Sequence, residues 1–227
     1  MIPARAIGRY LFAAWMAGLS ACNLTPGGGT DVGNPDLNAR VSGSLKHLDG
    51  SPAAFVPLHL RPKAFLSNPD SVPVPPTVPL NGGKTIQDGV SDTQGFFSFD
   101  SVPKGEYRIE AIDTLSRGAV MDVSPDGHSE RLTLAPAFMA ATGWISGTVV
   151  YRGPPQSRAP KIIIAIYGTD RWTASTTSGD FTLSGLPPGK YTIRISTLAD
   201  AALITIPPEI VLGQGEKVSV GSVDLGP

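Results

Sequence analysis

The chain has 227 residues, with 18 basic and 19 acidic side chains for a formal charge of −1, and it contains a single cysteine. It has no Lys/Arg run, so it lacks the basic footprint of a nucleic-acid binder, and one cysteine excludes an intrachain disulfide. The 26 glycines and 22 prolines, against 7% aromatics, favour a turn-rich β protein over a helical one.

The first segment carries Arg5 and Arg9 and no acid, followed by an apolar run from Tyr10 to Gly18 and then Leu19-Ser20-Ala21-Cys22. A basic start, a short apolar stretch and a small-residue boundary predict a secretory signal over 1–21. The run is too short for a hydrocarbon core of about 30 Å, which needs about 20 apolar residues. Leu-Ser-Ala-Cys resembles the lipobox of bacterial lipoproteins. That resemblance implies cleavage before Cys22, acylation of its thiol and attachment to a membrane through the lipid. Loss of the segment would move the formal charge to −3. Asn23 stands where an aspartate would favour inner-membrane retention, so the expected location is the cell envelope, lipid-anchored at the outer membrane.

Residues 22–38 hold Gly27-Gly28-Gly29 and Gly33-Asn34-Pro35 and almost no large apolar side chain, the composition of a flexible tether. From residue 39 the apolar pattern takes period 2. Val41, Gly43 and Leu45 alternate with Ser42, Ser44 and Lys46, and Phe97 and Phe99 share one parity. Nothing of length repeats at 3.6 residues, so no sizeable helix is expected.

An internal repeat organises the rest. Gly95-Phe96-Phe97-Ser98-Phe99 through Val102-Pro103-Lys104-Gly105-Glu106-Tyr107 reads onto Gly179-Asp180-Phe181-Thr182-Leu183 through Leu186-Pro187-Pro188-Gly189-Lys190-Tyr191, 84 positions later. Val41-Ser42-Gly43-Ser44-Leu45 likewise matches Ile145-Ser146-Gly147-Thr148-Val149. Gly95 and Gly179 can take positive φ and close a hairpin. Pro103 and Pro187 end the Phe-bearing strand, because proline cannot donate to a sheet ladder. Tyr107 and Tyr191 then start a strand with the ring packed inward.

These residues carry a family likeness. The two copies of Gly-x-Phe-(Ser/Thr)-(Phe/Leu)-x-x-(Val/Leu)-Pro-x-Gly-x-Tyr resemble carboxypeptidase regulatory-like domains of the transthyretin-like type. The first copy keeps that family's turn aspartate as Asp92, and the second has Thr176 in its place. The resemblance implies an all-β fold of two tandem antiparallel seven-stranded sandwiches, over 39–138 and 141–227, acting as non-catalytic accessory modules. Hydrolase members of the transthyretin-like group carry a Tyr-Arg-Gly-Ser signature at their C-terminus. Tyr151-Arg152-Gly153-Pro154 is similar to it but follows the first strand of the second module, so no enzyme is expected.

The copies differ in length. Gly43 to Gly95 spans 52 positions and Gly147 to Gly179 spans 32, which places an insertion within 61–85. Six prolines between Pro62 and Pro79 make it stiff and extended, and a long loop on a regular sandwich is a candidate binding surface or a passive connection.

A zinc site needs three or four converging ligands, and His47, His59 and His128 form no short-spaced pair. His47 and His59 could face each other across a first hairpin. No Gly-x-Ser-x-Gly elbow occurs, so no catalytic residue, metal or cofactor is expected. Exposed indoles stack on sugar rings, which makes Trp144 and Trp172 candidate ligand-binding residues. Parity with Ala174, however, turns Trp172 inward, and Trp144 lies beside a linker at 137–142 where it would cap the junction. Tyr151, with Arg61 and Lys63 at the start of the insertion, completes the candidate set. The expected function is a binding or adhesion module for a polysaccharide or a protein partner. The alternative is a scaffolding subunit of an envelope complex whose edge strands pair with a partner.

Overall fold

A computed structural model describes residues 37–67, 86–151, 162–197, 203–205 and 209–225. The signal segment, Cys22, the tether up to residue 36, most of the inserted loop (68–85) and Arg152-Gly153-Pro154 lie outside these residues. The described residues contain strands and no helix, so the chain is all-β.

The first sandwich holds β1 (Ala39–His47), β2 (Pro57–Pro62), β3 (Gln87–Val90), β4 (Phe96–Val102), β5 (Tyr107–Ile112), β6 (Arg117–Val123), β7 (Arg131–Thr133) and β8 (Ala137–Ala141). Their order is β3-β2-β5-β6-β8-β1-β4, with β7 parallel to β1. The second holds β9 (Gly143–Tyr151), β10 (Ile162–Ile166), β11 (Trp172–Ala174), β12 (Asp180–Leu186), β13 (Gly189–Tyr191), β14 (Ile193–Thr197), β15 (Leu203–Thr205), β16 (Ile210–Leu212) and β17 (Lys217–Leu225). It repeats the plan: β11-β10-β14-β15 stands for β3-β2-β5-β6, and β12-β9-β17 for β4-β1-β7.

The repeat holds to the residue. Gly43 pairs with Phe97 and Gly147 with Phe181, Val41 with Phe99 and Ile145 with Leu183, Ala39 with Val102 and Gly143 with Leu186. An irregularity in register falls at the same place in both copies, before the last of these pairs. Gly43 and Gly147 are needed because a Cβ there would come within 2.6 and 2.9 Å of the Phe97 and Phe181 rings. Gly95 and Gly179 sit at φ +76° and +90°, where a side chain would strike the carbonyl oxygens of Leu45 and Val149. Asp92 and Thr176 perform one task with different groups. Asp92 Oδ1 accepts from the Phe96 amide at 2.9 Å and Thr176 Oγ1 from the Asp180 amide at 3.0 Å, so the lost aspartate leaves the turn intact.

Each sandwich has its own core. Val41, Leu45, Leu58, Phe97, Phe99, Tyr107 and Ile109 form one buried cluster, and Ile145, Ile164, Phe181, Leu183, Tyr191 and Ile193 another. Both tyrosines are fully buried, and Tyr191 donates to the Pro187 carbonyl at 2.6 Å.

Two expectations are corrected. Residues 137–141 are not a linker but strand β8, bonded to β6 and β1. His47 and His59 do not face each other. The Asp49-Gly50 turn folds back on the end of β1 itself, through Ala53 N to Leu45 O at 3.0 Å, and β2 then joins the opposite face beside β3 and β5.

Candidate functional site

In β1 and β4 alternate side chains enter the core, and the others form the outer face of β4-β1-β7. On that face Ser44 is opposite Phe96, Ser42 is opposite both Ser98 and Thr133, and Arg40 is opposite Arg131. An open groove of about 840 Å³ runs over it, also bordered by Val90. Phe96 and Val90 are 58% and 60% exposed and add apolar surface to a strand face whose other outward side chains are polar. Arg40 bonds Ser98 Oγ at 3.2 Å and Asp100 at 3.2 Å. Arg131 has no ion-pair partner among the described residues.

The second copy does not reproduce this face. Asp180 replaces Phe96, and Thr148 and Ser178 both donate to its carboxylate at 2.7 Å. The Ser178 and Thr148 hydroxyls hold that carboxyl below its ordinary range. Trp144 replaces Arg40, and Lys217 replaces Arg131 by register. The Lys217 ammonium lies 4.2 Å from the centre of the Trp144 ring, a cation–π pair. The groove is therefore a property of the first sandwich.

The residues singled out from the sequence take other places. Arg61 is not available for a ligand. Its side chain is 7% exposed and forks onto Asp170 of the second sandwich, Nε to Oδ1 at 3.0 Å and Nη2 to Oδ2 at 2.7 Å, with Asp88 at 2.9 Å from Nη2. Lys63 pairs with Asp122 at 3.0 Å, beside Arg108 at 2.9 Å from the same carboxylate. Burial pushes the Asp122 carboxyl up, but Arg108 and Lys63 hold it below the usual range. His59 likewise lowers Asp88 through a 2.7 Å hydrogen bond. Across the same junction buried Glu110 meets Arg171 at 3.4 Å, and Arg108 lies 5.5 Å from the Tyr191 ring centre. Burial raises the Glu110 carboxyl despite Arg171.

Trp172 does not pack inward and is 40% exposed. Ala174, from which its parity was counted, corresponds to Val90 of the first copy, which is itself exposed, and β11 is a three-residue edge strand. Trp144 sits under Lys217 rather than against a linker. Tyr151 ends β9, half-buried against the second core. Three groove residues, Arg40, Phe96 and Arg131, were not singled out from the sequence. Placing the copies side by side at the outward parity would have exposed the exchange of Phe96 for Asp180. Among the described residues no group of three His, Cys, Asp or Glu side chains is placed to hold a metal ion.

No family profile matches the chain, and no curated protein matches it. Solved structures similar to it include the minor pilin GBS52 of Streptococcus agalactiae, at 14% identity and TM-score 0.34 over 83% of this chain and 97% of that one. A streptococcal ancillary pilin is 18% identical, with TM-score 0.33 over 82% and 62%. The TIE protein of Bacillus anthracis is 12% identical, with TM-score 0.31 over 82% and 34%, so this chain spans about a third of its length. At such scores no functional trait passes from those proteins to this chain.

Proposed function

We propose that this chain is a non-catalytic binding module of the bacterial cell envelope, anchored through a lipid on Cys22 at the outer membrane. It presents the groove of its first sandwich to a polysaccharide. The observation that carries this reading is Phe96: a large apolar ring left exposed on a polar strand face, over a groove lined with hydroxyls, two guanidinium groups and the Asp92 carboxylate, which is already engaged by the Gln94 and Phe96 amides. Ligand sites combine apolar surface with a few convergent polar groups in this way. The tether over 22–38 spaces the sandwiches from the lipid surface, and the charged junction fixes the second sandwich as a brace for the first.

The test uses the full chain. Wild type should partition with membranes and Cys22→Ser should not, because lipid supplies the attachment. The detergent-solubilised wild type should then be retained on immobilised envelope polysaccharide. Retention on envelope proteins alone would favour a scaffolding subunit, and retention on neither would overturn the reading.

A further inference from the structure

Resting on that reading, we infer that the groove selects an acidic polysaccharide: Arg40 and Arg131 take its carboxylates and Phe96 stacks on a sugar ring. Two like charges meet on this face. Arg40 and Arg131 are direct partners on adjacent parallel strands, about 4.8 Å apart along the ladder, and like charges directly opposite each other destabilise a sheet. Asp100 answers only Arg40, at 3.2 Å across exposed side chains. The second copy shows that the fold does not require two guanidinium groups here, because it carries Trp144 and Lys217 at these places and satisfies the cation on the ring. In the first copy Arg131 thus stands without a counter-charge among the described residues, beside an Arg40 met only by the exposed Asp100, and an external anion would compensate it. Guanidinium is suited to that role, since its planar fork matches a carboxylate.

The rest of the groove says what carries the anion. Ser42, Ser98 and Thr133 lie in the next row, and Ser44 with Phe96 in the row after. From Arg40 to Ser44 the strand runs about 13 Å at roughly 3.3 Å per residue. Cations, hydroxyls and an aromatic ring therefore follow one another along a single open groove. A small inorganic anion would use only the first row, whereas a chain of hydroxyl-rich rings bearing carboxylates would use all three.

The experiment titrates the full chain in detergent with polygalacturonate, neutral dextran and dextran sulfate, for wild type, Arg131→Gln and Phe96→Ala. Both substituted side chains are exposed, and unchanged thermal melts would confirm intact folding. Polygalacturonate should bind the wild type, about tenfold or more weakly to Arg131→Gln, and measurably more weakly to Phe96→Ala. Dextran should bind at least tenfold more weakly than polygalacturonate. Equal binding of dextran would overturn the acidic assignment, as would undiminished binding by Arg131→Gln. Equal binding of dextran sulfate with no effect of Phe96→Ala would reduce the groove to ion exchange and overturn the saccharide. If polygalacturonate fails while envelope polysaccharide is still retained, this assignment falls and the binding-module reading stands. If both fail, the module reading falls with it.

Discussion

Arg61, on β2 of the first sandwich, holds Asp170 of the second through two hydrogen bonds of 3.0 and 2.7 Å, with its guanidinium almost fully buried. The residues lie 109 positions apart. Asp170→Ala would leave Arg61 with Asp88, at 2.9 Å, as its carboxylate partner, beside the Leu60 and Gln87 carbonyls that accept from Nη1. Charge-assisted hydrogen bonds contribute about 1.5–3 kcal/mol each, and breaking a buried pair costs more. Because 39% of the Asp170 side chain is exposed, the expected loss is about 2 kcal/mol. Chemical denaturation of the full chain measures it. An unchanged midpoint would show that the junction contributes nothing to stability.

The buried Glu110 gives the junction a pH signature. Its carboxyl is raised by burial, so the folded state binds more protons than the unfolded one between about pH 4.3 and the raised folded value. Stability from this group is fully present below about pH 4.3 and declines as pH rises through the folded value. Glu110→Gln removes the decline. Relative to wild type, the variant should gain stability between pH 4 and pH 7, as followed by denaturation at each pH. Asp88 and Asp122 act in the opposite sense. Their contribution is present above about pH 3.9 and is lost as pH falls through their lowered folded values. A Glu110→Gln difference that does not change with pH would contradict the assignment.

Tyr191 anchors the second core, with Arg108 of the first sandwich 5.5 Å from its ring centre. Tyr191→Ala should cost about 3–5 kcal/mol, the usual range for deleting a buried aromatic. Tyr191→Phe removes only the 2.6 Å hydrogen bond to Pro187 and should cost about 1 kcal/mol. Thermal melts rank the two. Similar losses would mean that the hydroxyl, and not the ring, is what that site needs.

The cores were legible in the sequence because they follow local rules. Period-2 spacing placed Phe97, Phe99, Tyr107 and Ile109 on one face, and positive φ at Gly95 and Gly179 is what a tight turn requires of glycine. The junction was not legible. Arg108 and Glu110 alternate with Tyr107 and Ile109 as solvent-facing residues would, yet every residue from Tyr107 to Ala111 is buried. Arg108 meets Asp122 across the β5-β6 ladder, but the partner of Glu110, Arg171, is set by how the two sandwiches pack, which no local pattern encodes. One signal was available: β10 reads Ile-Ile-Ile-Ala-Ile without alternation, and it is buried on both faces. The groove escaped for a related reason. Phe96 precedes Phe97 and Phe99, and only strand register separates the exposed ring from the two buried ones.

On the function proposed above, binding belongs to the outer face of the first sandwich, with the second as its brace. Affinity of the detergent-solubilised full chain for envelope polysaccharide, measured side by side for Phe96→Ala and Trp172→Ala, tests it most directly. Both rings are exposed, one in the groove and one on the edge of the second sandwich. Phe96→Ala should weaken binding about tenfold, roughly the 1.4 kcal/mol of one aromatic contact, with Trp172→Ala unchanged. Loss of binding in Trp172→Ala with Phe96→Ala unaffected would contradict it and move the site to the second sandwich.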